Sequence, residues 1–342
     1  MKKTIYLNLL AAISFMMTVN AQTVALQSAL GAQIFKGNTS LADAYNAAQN
    51  GDTLYLSGGS YTPPAAFDKQ LMIFGAGHYP DSTQVTGKTF ITANFVLTEN
   101  ADGFYIDGLE ITGNFIITTN HSVNNVVVKR CKINGTFDAL GNFTNPTTNL
   151  ALIGNVLVGR IDLQNVQNAL LSNNIIQYTF QNSNGNLLNN NIIMSAFYMT
   201  SGPDFMFMGN NNTLNNNIFI YNNDDIKAFG TGNAFNYNLF VRANPDFGTG
   251  GTGYNNYTGV AQTSIFINQT GNIFDYAHNY HLQSPAIYVG NDGTEVGVYG
   301  GSFPYKEGAV PLNPHIQFKN IPATTDTNGN LQIQIQVEAQ ND

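Results

Sequence analysis

Between residues 106 and 240 the chain repeats one short pattern, apolar-x-x-(apolar or Asn)-x-apolar. The copies span residues 106–111, 128–133, 153–158, 171–176, 188–193, 214–219 and 235–240, and their starts lie 22, 25, 18, 17, 26 and 21 residues apart. Such a period stands near the lower end of the roughly 20–50 residues that mark solenoids. The fourth position reads Leu109, Cys131 and Val156, then Asn174, Asn191, Asn217 and Asn238. Stacked turns account for this column: each copy is one rung, and its fourth position faces the interior.

Each rung divides into three short strands. In the rung of Leu188, residues 186–188 form one strand, 189–191 a tight corner, 192–193 a second strand and 195–199 a third. Corners need left-handed backbone, which Asn tolerates. An inward Asn must also find partners for its NH₂ and its carbonyl. Stacking Asn over Asn at the strand spacing of about 4.8 Å supplies them. Asn174, Asn191, Asn217 and Asn238 are therefore expected to form a structural ladder.

The third strands fall at residues 114–118, 135–138, 160–164, 178–181, 195–199 and 226–229. Alternation turns Ile161, Leu163, Phe180 and Ile226 inward, and Arg160, Asp162, Thr179, Gln181 and Lys227 outward. Insertions at 139–148 and 200–212 and a lengthened loop at 221–225 flank this strand. Long loops on one side of a repeat body commonly mark its binding face.

Residues 22–39 read as a lead-in. Ser40 is placed to cap a helix running to about residue 49, which would cover the open end of the stack. Beyond Ala243 the rhythm fades into a Gly-rich loop at 248–253 and an aromatic, irregular stretch, while 331–337 alternates strictly, as a half-buried strand does. The fold class expected is all-β: a single-stranded right-handed parallel β-helix (solenoid) with an N-terminal capping helix and an irregular C-terminal cap. Its parts are a signal segment (1–21), the β-helix with its N-terminal cap (22–310) and a C-terminal strand or cap extension (311–342).

The signal is read from Lys2 and Lys3, an apolar core over 5–19, and the small-residue site Val19-Asn20-Ala21. It implies export to the periplasm, cell surface or medium of a bacterium, and no other stretch is apolar enough to span a membrane. Charged residues are 10% of the chain and Asn accounts for 49 of 342 positions, which suits stacked strands and tight turns. The net charge of −8, or −10 without Lys2 and Lys3, excludes the basic footprint of nucleic-acid binders. The single Cys131 falls on the inward column and reads as a small buried hydrophobe. Lys129, Arg130 and Lys132 read as solvated corner charges. Of the five histidines only His278 and His281 are close in sequence, too few for a zinc site.

The stretch 41–61, with its Ala-rich helix, Asn50-Gly51-Asp52-Thr53-Leu54-Tyr55-Leu56 and Gly58-Gly59-Ser60-Tyr61, resembles the entry to pectin-lyase-like right-handed β-helix proteins. The Asn-rich rungs look like their middle. Residues 280–287 and 292–301 are similar to the closing rung of secreted bacterial members. The resemblance covers nearly the whole chain after the signal and implies fold more than activity. The superfamily holds polysaccharide lyases, glycoside hydrolases, pectin esterases, adhesins and proteins without known catalysis. Polygalacturonase-type hydrolases carry Asn-x-Asp, Asp-Asp, Gly-His and Arg-x-Lys in order. Here Asn223-Asp224-Asp225 is a partial echo, and Gly77-His78 and Arg130-Cys131-Lys132 come too early.

A uronate lyase must neutralise a carboxylate, abstract the adjacent proton and stabilise an enolate. Calcium on carboxylates with a Lys or Arg base would serve. The outward sheet and its loops offer Lys227 and Arg160 as catalytic candidates, Tyr198, Asp162 and Asp138 for substrate, and Asp224, Asp225 and Asp204 for metal. These charges also suit plain solvation of an exposed sheet. The chemistry expected is thus binding of, or action on, polysaccharide by a monomer, with uronate polymers the first candidates, no required cofactor, and calcium the ion a lyase would use. The alternative is a non-catalytic carbohydrate-binding or adhesin-like surface protein.

Overall fold

The structure is a computed structural model that describes residues 22–178, 180–194, 205–221 and 227–339; the side chains of 205–208 and 227–229 lie outside it. The expected signal segment, Thr179 and Ile226 also fall outside the described residues.

The chain is a parallel β-solenoid of about nine turns. Among the described residues three long sheets run along it, of twelve, nine and five strands. In the first, Leu54, Ile73, Ile106, Val128, Leu152, Leu171, Leu188, Leu214 and Phe235 stack in register as one buried column. The second sheet turns Ile91, Ile111, Ile133, Leu157, Ile176, Ile193, Phe219 and Phe240 into the same lumen. The third contributes Phe95, Phe115, Phe137, Ile161 and Phe180. The rings of Phe67, Phe95, Phe115 and Phe137 stack at centroid spacings of 4.5, 5.4 and 4.8 Å, about one rung apart.

First and second sheets meet at a two-residue corner. Its leading residue is left-handed in rung after rung, with φ of +58° at Asn173, +55° at Asn190 and +57° at Asn216. The next residue is the ladder Asn. The Oδ1 of Asn191 accepts the backbone N–H of Asn174 at 3.0 Å and its Nδ2 at 2.9 Å. The Nδ2 of Asn191 donates to Asn217 Oδ1 at 2.9 Å and to the Leu171 carbonyl at 2.8 Å. The amide is fully satisfied without water.

The ladder is longer than the sequence pattern indicates. The register pairs Val128 with Leu152 and Leu152 with Leu171, so that rung begins one residue earlier than the pattern suggests. Asn155, not Val156, holds the inward position, because a one-residue slip exchanges the faces of a strand. Asn155 donates to Asn174 and accepts the Cys131 N–H at 2.9 Å. Asn256 closes the other end by accepting from Asn238. The rungs thus persist past Ala243, and Thr252–Tyr254, which overlaps the end of the expected loop, is a strand on Ala234–Asn236. A second ladder, Asn186, Asn212 and Asn233, links another corner at 3.0 Å per step. The 200–212 insertion likewise contains a strand, Phe205–Asn210, paired with Ser183–Asn184 and Lys227–Phe229.

At the N-terminus the lead-in is a hairpin, Thr23–Ser28 with Gly31–Lys36, joined antiparallel to Thr53–Leu56. Helix Ser40–Ala47 packs Leu41 and Ala44 against it. Thr39, not Ser40, holds the N-cap position; its hydroxyl donates to the Asp43 carboxylate at 2.7 Å, while Ser40 is buried with its hydroxyl unpaired.

The irregular C-terminal segment returns along the outside of the second sheet. There Val156, Ile175, Ile192, Ile218 and Leu239 face away from the lumen yet are buried under Phe266, Tyr280, Leu282, Val296, Val298 and Tyr305. The left-handed corner residues hold this strap. Asn173 Nδ2 donates to the carbonyls of Val298 and Gly300 at 2.8 and 2.7 Å, and the Gly297 N–H donates to the Asn216 carbonyl at 2.7 Å. Gly297 has φ +83°, and a Cβ there would come within 2.5 Å of Ile218. Beyond the strap, His315–Asn320 and Gln334–Glu338 pair as a hairpin. The expected half-buried strand is instead exposed on both faces, as Ile333, Ile335 and Val337 are each over half exposed.

Two stability predictions follow from this architecture. Asn191→Ala should cost about 2–4 kcal/mol in denaturant unfolding, since it leaves the Asn174 donors without the Asn191 Oδ1 and removes the Asn191 Nδ2 bonds to Asn217 and the Leu171 carbonyl. Ile192→Ala should cost about 2–5 kcal/mol although Ile192 points away from the lumen. A loss below about 0.5 kcal/mol would mean that the strap does not cover that face in solution.

Candidate functional site

The third sheet carries its outward column Val96, Ile116, Asp138, Asp162 and Gln181 on successive strands. Asp138 and Asp162 are therefore direct neighbours, about one strand spacing apart. Arg160, just before its strand, reaches across the rung to Asp138, with 3.6 Å between Nη2 and Oδ1. The Thr136 hydroxyl donates to the other Asp138 oxygen at 2.5 Å, and Asn182 Nδ2 donates to Asp162 at 3.0 Å. Three of the predicted site residues thus converge. Thr136 and Asn182, which orient the carboxylates, are not among the candidates; alternation puts Thr136 on the face of Asp138 two residues on, whereas Asn182 reaches Asp162 from the next rung.

Burial is deeper than alternation suggests. Asp162 is only 6% exposed despite its outward position. Burial pushes its carboxyl pKa up, and the Asn182 hydrogen bond and the Arg160 charge only partly offset this. Arg160 Nε and Asp138 Oδ1 are buried with no hydrogen-bond partner. Such unpaired atoms call for a partner from solvent or ligand.

Tyr198, Asp204, Asp224 and Asp225 lie outside the described residues. Of Lys227 the backbone is described: it opens the strand Lys227–Phe229, in a three-stranded sheet distinct from that of Asp138 and Asp162. Among the described residues no group of three or more His, Cys, Asp or Glu side chains could hold a metal ion. Asp138 and Asp162 fall short of the six to eight oxygens calcium takes. Likewise, no described helix is long and apolar enough to cross a membrane. The ladder residues Asn174, Asn191, Asn217 and Asn238 are fully buried in the corner network and unavailable to a ligand.

The basic corner residues are not simply solvated. Arg130, 8% exposed, donates through Nε to the fully buried Asp107 at 2.8 Å. Lys132 and Lys88 share Glu110 at 3.4 and 2.8 Å, and Asn134 donates to the same carboxylate at 2.8 Å. Burial opposes ionisation of Glu110, but these partners outweigh it and hold its pKa below the ordinary value. Tyr276 of the strap lies over both lysines, 5.3 and 5.0 Å from ring centre to Nζ. Cys131 is fully buried and its thiol pKa is pushed up to about 12, chiefly by burial, so it is no nucleophile.

No protein-family model, no curated protein and no solved structure matches the chain.

The Asp162 environment sets a pH signature. With its folded pKa raised, the carboxyl contributes stability fully below the ordinary Asp range, and that contribution is lost as pH rises through the folded pKa. Asp162→Asn should therefore be at least as stable as the parent at neutral pH, with the advantage shrinking on acidification. Melting temperatures of both proteins between pH 3 and 7 check this; an advantage that grows toward acid would contradict the assignment.

Proposed function

We propose that the chain is an exported member of the pectin-lyase-like β-helix group that holds polysaccharide on the outer face of its third sheet, around Asp138, Arg160 and Asp162. One observation carries the reading: this face keeps a poorly compensated carboxylate at Asp162, beside an Asp138 whose Oδ1 has only the 3.6 Å Arg160 contact and no hydrogen bond. A solvated, purely structural face would favour fully hydrated or fully paired groups, so retaining such a cluster speaks for a ligand. Sugar hydroxyls both donate and accept, which suits a partly exposed guanidinium beside two carboxylates. The apolar N-terminal segment ending at Val19-Asn20-Ala21 supports export.

Elimination on a uronate chain is a second reading, favoured by Arg160. Its side chain is 34% exposed, so part of it can meet a substrate carboxylate while Nη2 stays 3.6 Å from Asp138. In that reaction a base takes the proton beside the carboxylate, and the departing glycosidic oxygen leaves an unsaturated uronate.

Both readings are tested by incubating the mature protein with a panel of uronate and neutral polysaccharides, with and without calcium, while recording glycan binding and ultraviolet absorbance. Binding that falls about tenfold or more in Arg160→Ala, without new absorbance, is the expected result. A rise in absorbance from unsaturated products would establish the lyase. Binding unchanged in Arg160→Ala and Asp162→Asn would remove this face as the site.

A further inference from the structure

A groove of about 450 Å³ opens at the N-terminal end of the solenoid, on the outside of the second sheet. Its walls are the first strands of that sheet, the loop leading to Lys88, and the C-terminal strand His315–Asn320. Ser60, Gln84, Thr86, Lys88, Phe90 and Lys319 line it, and no acidic side chain does. That lining is unusual for a chain with 13 basic residues against 21 acidic ones.

The charge inside is only partly cancelled from behind. Lys88 is paired with Glu110, but Glu110 also serves Lys132, so the three groups leave one positive charge on this face. Lys319, from the far end of the chain, adds a second. Phe90 brings an aromatic ring, partly exposed, with Lys88 Nζ 4.8 Å from its centre. Gln84, Ser60 and Thr86 add hydrogen-bonding groups at the walls. The floor is bare backbone: a Cβ on Gly58 would lie 2.1 Å from the Thr86 carbonyl. The volume falls in the range of ligand pockets, and the mix of apolar ring, polar groups and cations suits a flat, hydroxylated anion.

We propose that this groove is a second binding site, taking an acidic sugar unit, uronate or sulfated, with its anion between Lys88 and Lys319 and its ring against Phe90. The saccharide part rests on the reading of the third-sheet face. The anionic part rests on the lysines alone. Because Lys319 of the C-terminal strand joins residues 58–90 in its lining, the groove brings the two ends of the chain into one site.

Isothermal titration at low salt with an oligogalacturonate, its neutral methyl ester and a sulfated oligosaccharide tests this on the full mature chain. The charged probes should bind and the ester bind at least about tenfold more weakly. Lys319→Gln should weaken the charged probes about fivefold, and Lys319→Glu more. Added salt should weaken them further. Lys319 is on an exposed strand, so unchanged melting of its variants is the folding control. The Asp162→Asn variant separates the two sites. Binding lost in Asp162→Asn but intact in Lys319→Glu overturns the groove and leaves the third-sheet reading standing. Binding lost in Lys319→Glu and intact in Asp162→Asn establishes the groove, and intact binding in Arg160→Ala as well removes the other. Absence of binding by every charged probe overturns the groove, and the third-sheet face is then decided by its neutral polysaccharides.

Discussion

The corner amide is the constraint on which the rest of the molecule depends. Inside the solenoid a polar group is shut off from bulk solvent, so an inward Asn is tolerable only if the rungs above and below supply its partners. From Asn155 to Asn256 each does so for the next. In the earlier rungs the same column is Leu109 and Cys131, which need no partner, and Asn155 accepts the Cys131 N–H where the two regimes meet. This geometry holds the rungs in register. Register in turn aligns every other column, including Asp138 beside Asp162.

The outside of the second sheet shows what register makes possible. The residue after each ladder position reads Glu110 and Lys132 in the early rungs, then Val156, Ile175, Ile192, Ile218 and Leu239. The strap meets both halves in kind: aliphatic and aromatic side chains cover the apolar half, and Tyr276 lies across the lysines. Burying the apolar half on both faces gives the sheet the character of a core, as parallel sheets generally require. It leaves the third sheet and the N-terminal groove as faces with clustered charge that no strap covers.

Sequence alone determined the solenoid, the two-residue corner and four members of the ladder, because each depends on local periodicity and on what an inward Asn needs. The outward placement of Asp138, Arg160 and Asp162 was equally legible, since alternation is a property of the strand itself. A further signal was present but unread: adjacent apolar pairs such as Ile175-Ile176 and Ile192-Ile193 mean that both faces of a strand are covered, and they foretell the strap. The rung at Leu152 was misphased for a related reason, because with both faces apolar Ile153 and Val156 fit the pattern as well as Leu152 and Leu157 do. Only the tertiary structure decided the rest. Which carboxylate Arg160 touches, that Glu110 is shared by two lysines, and that residue 319 stands beside residue 88 all depend on contacts between distant rungs and chain ends. Local pattern carries no information about distances across the fold, and those distances set the chemistry of both faces.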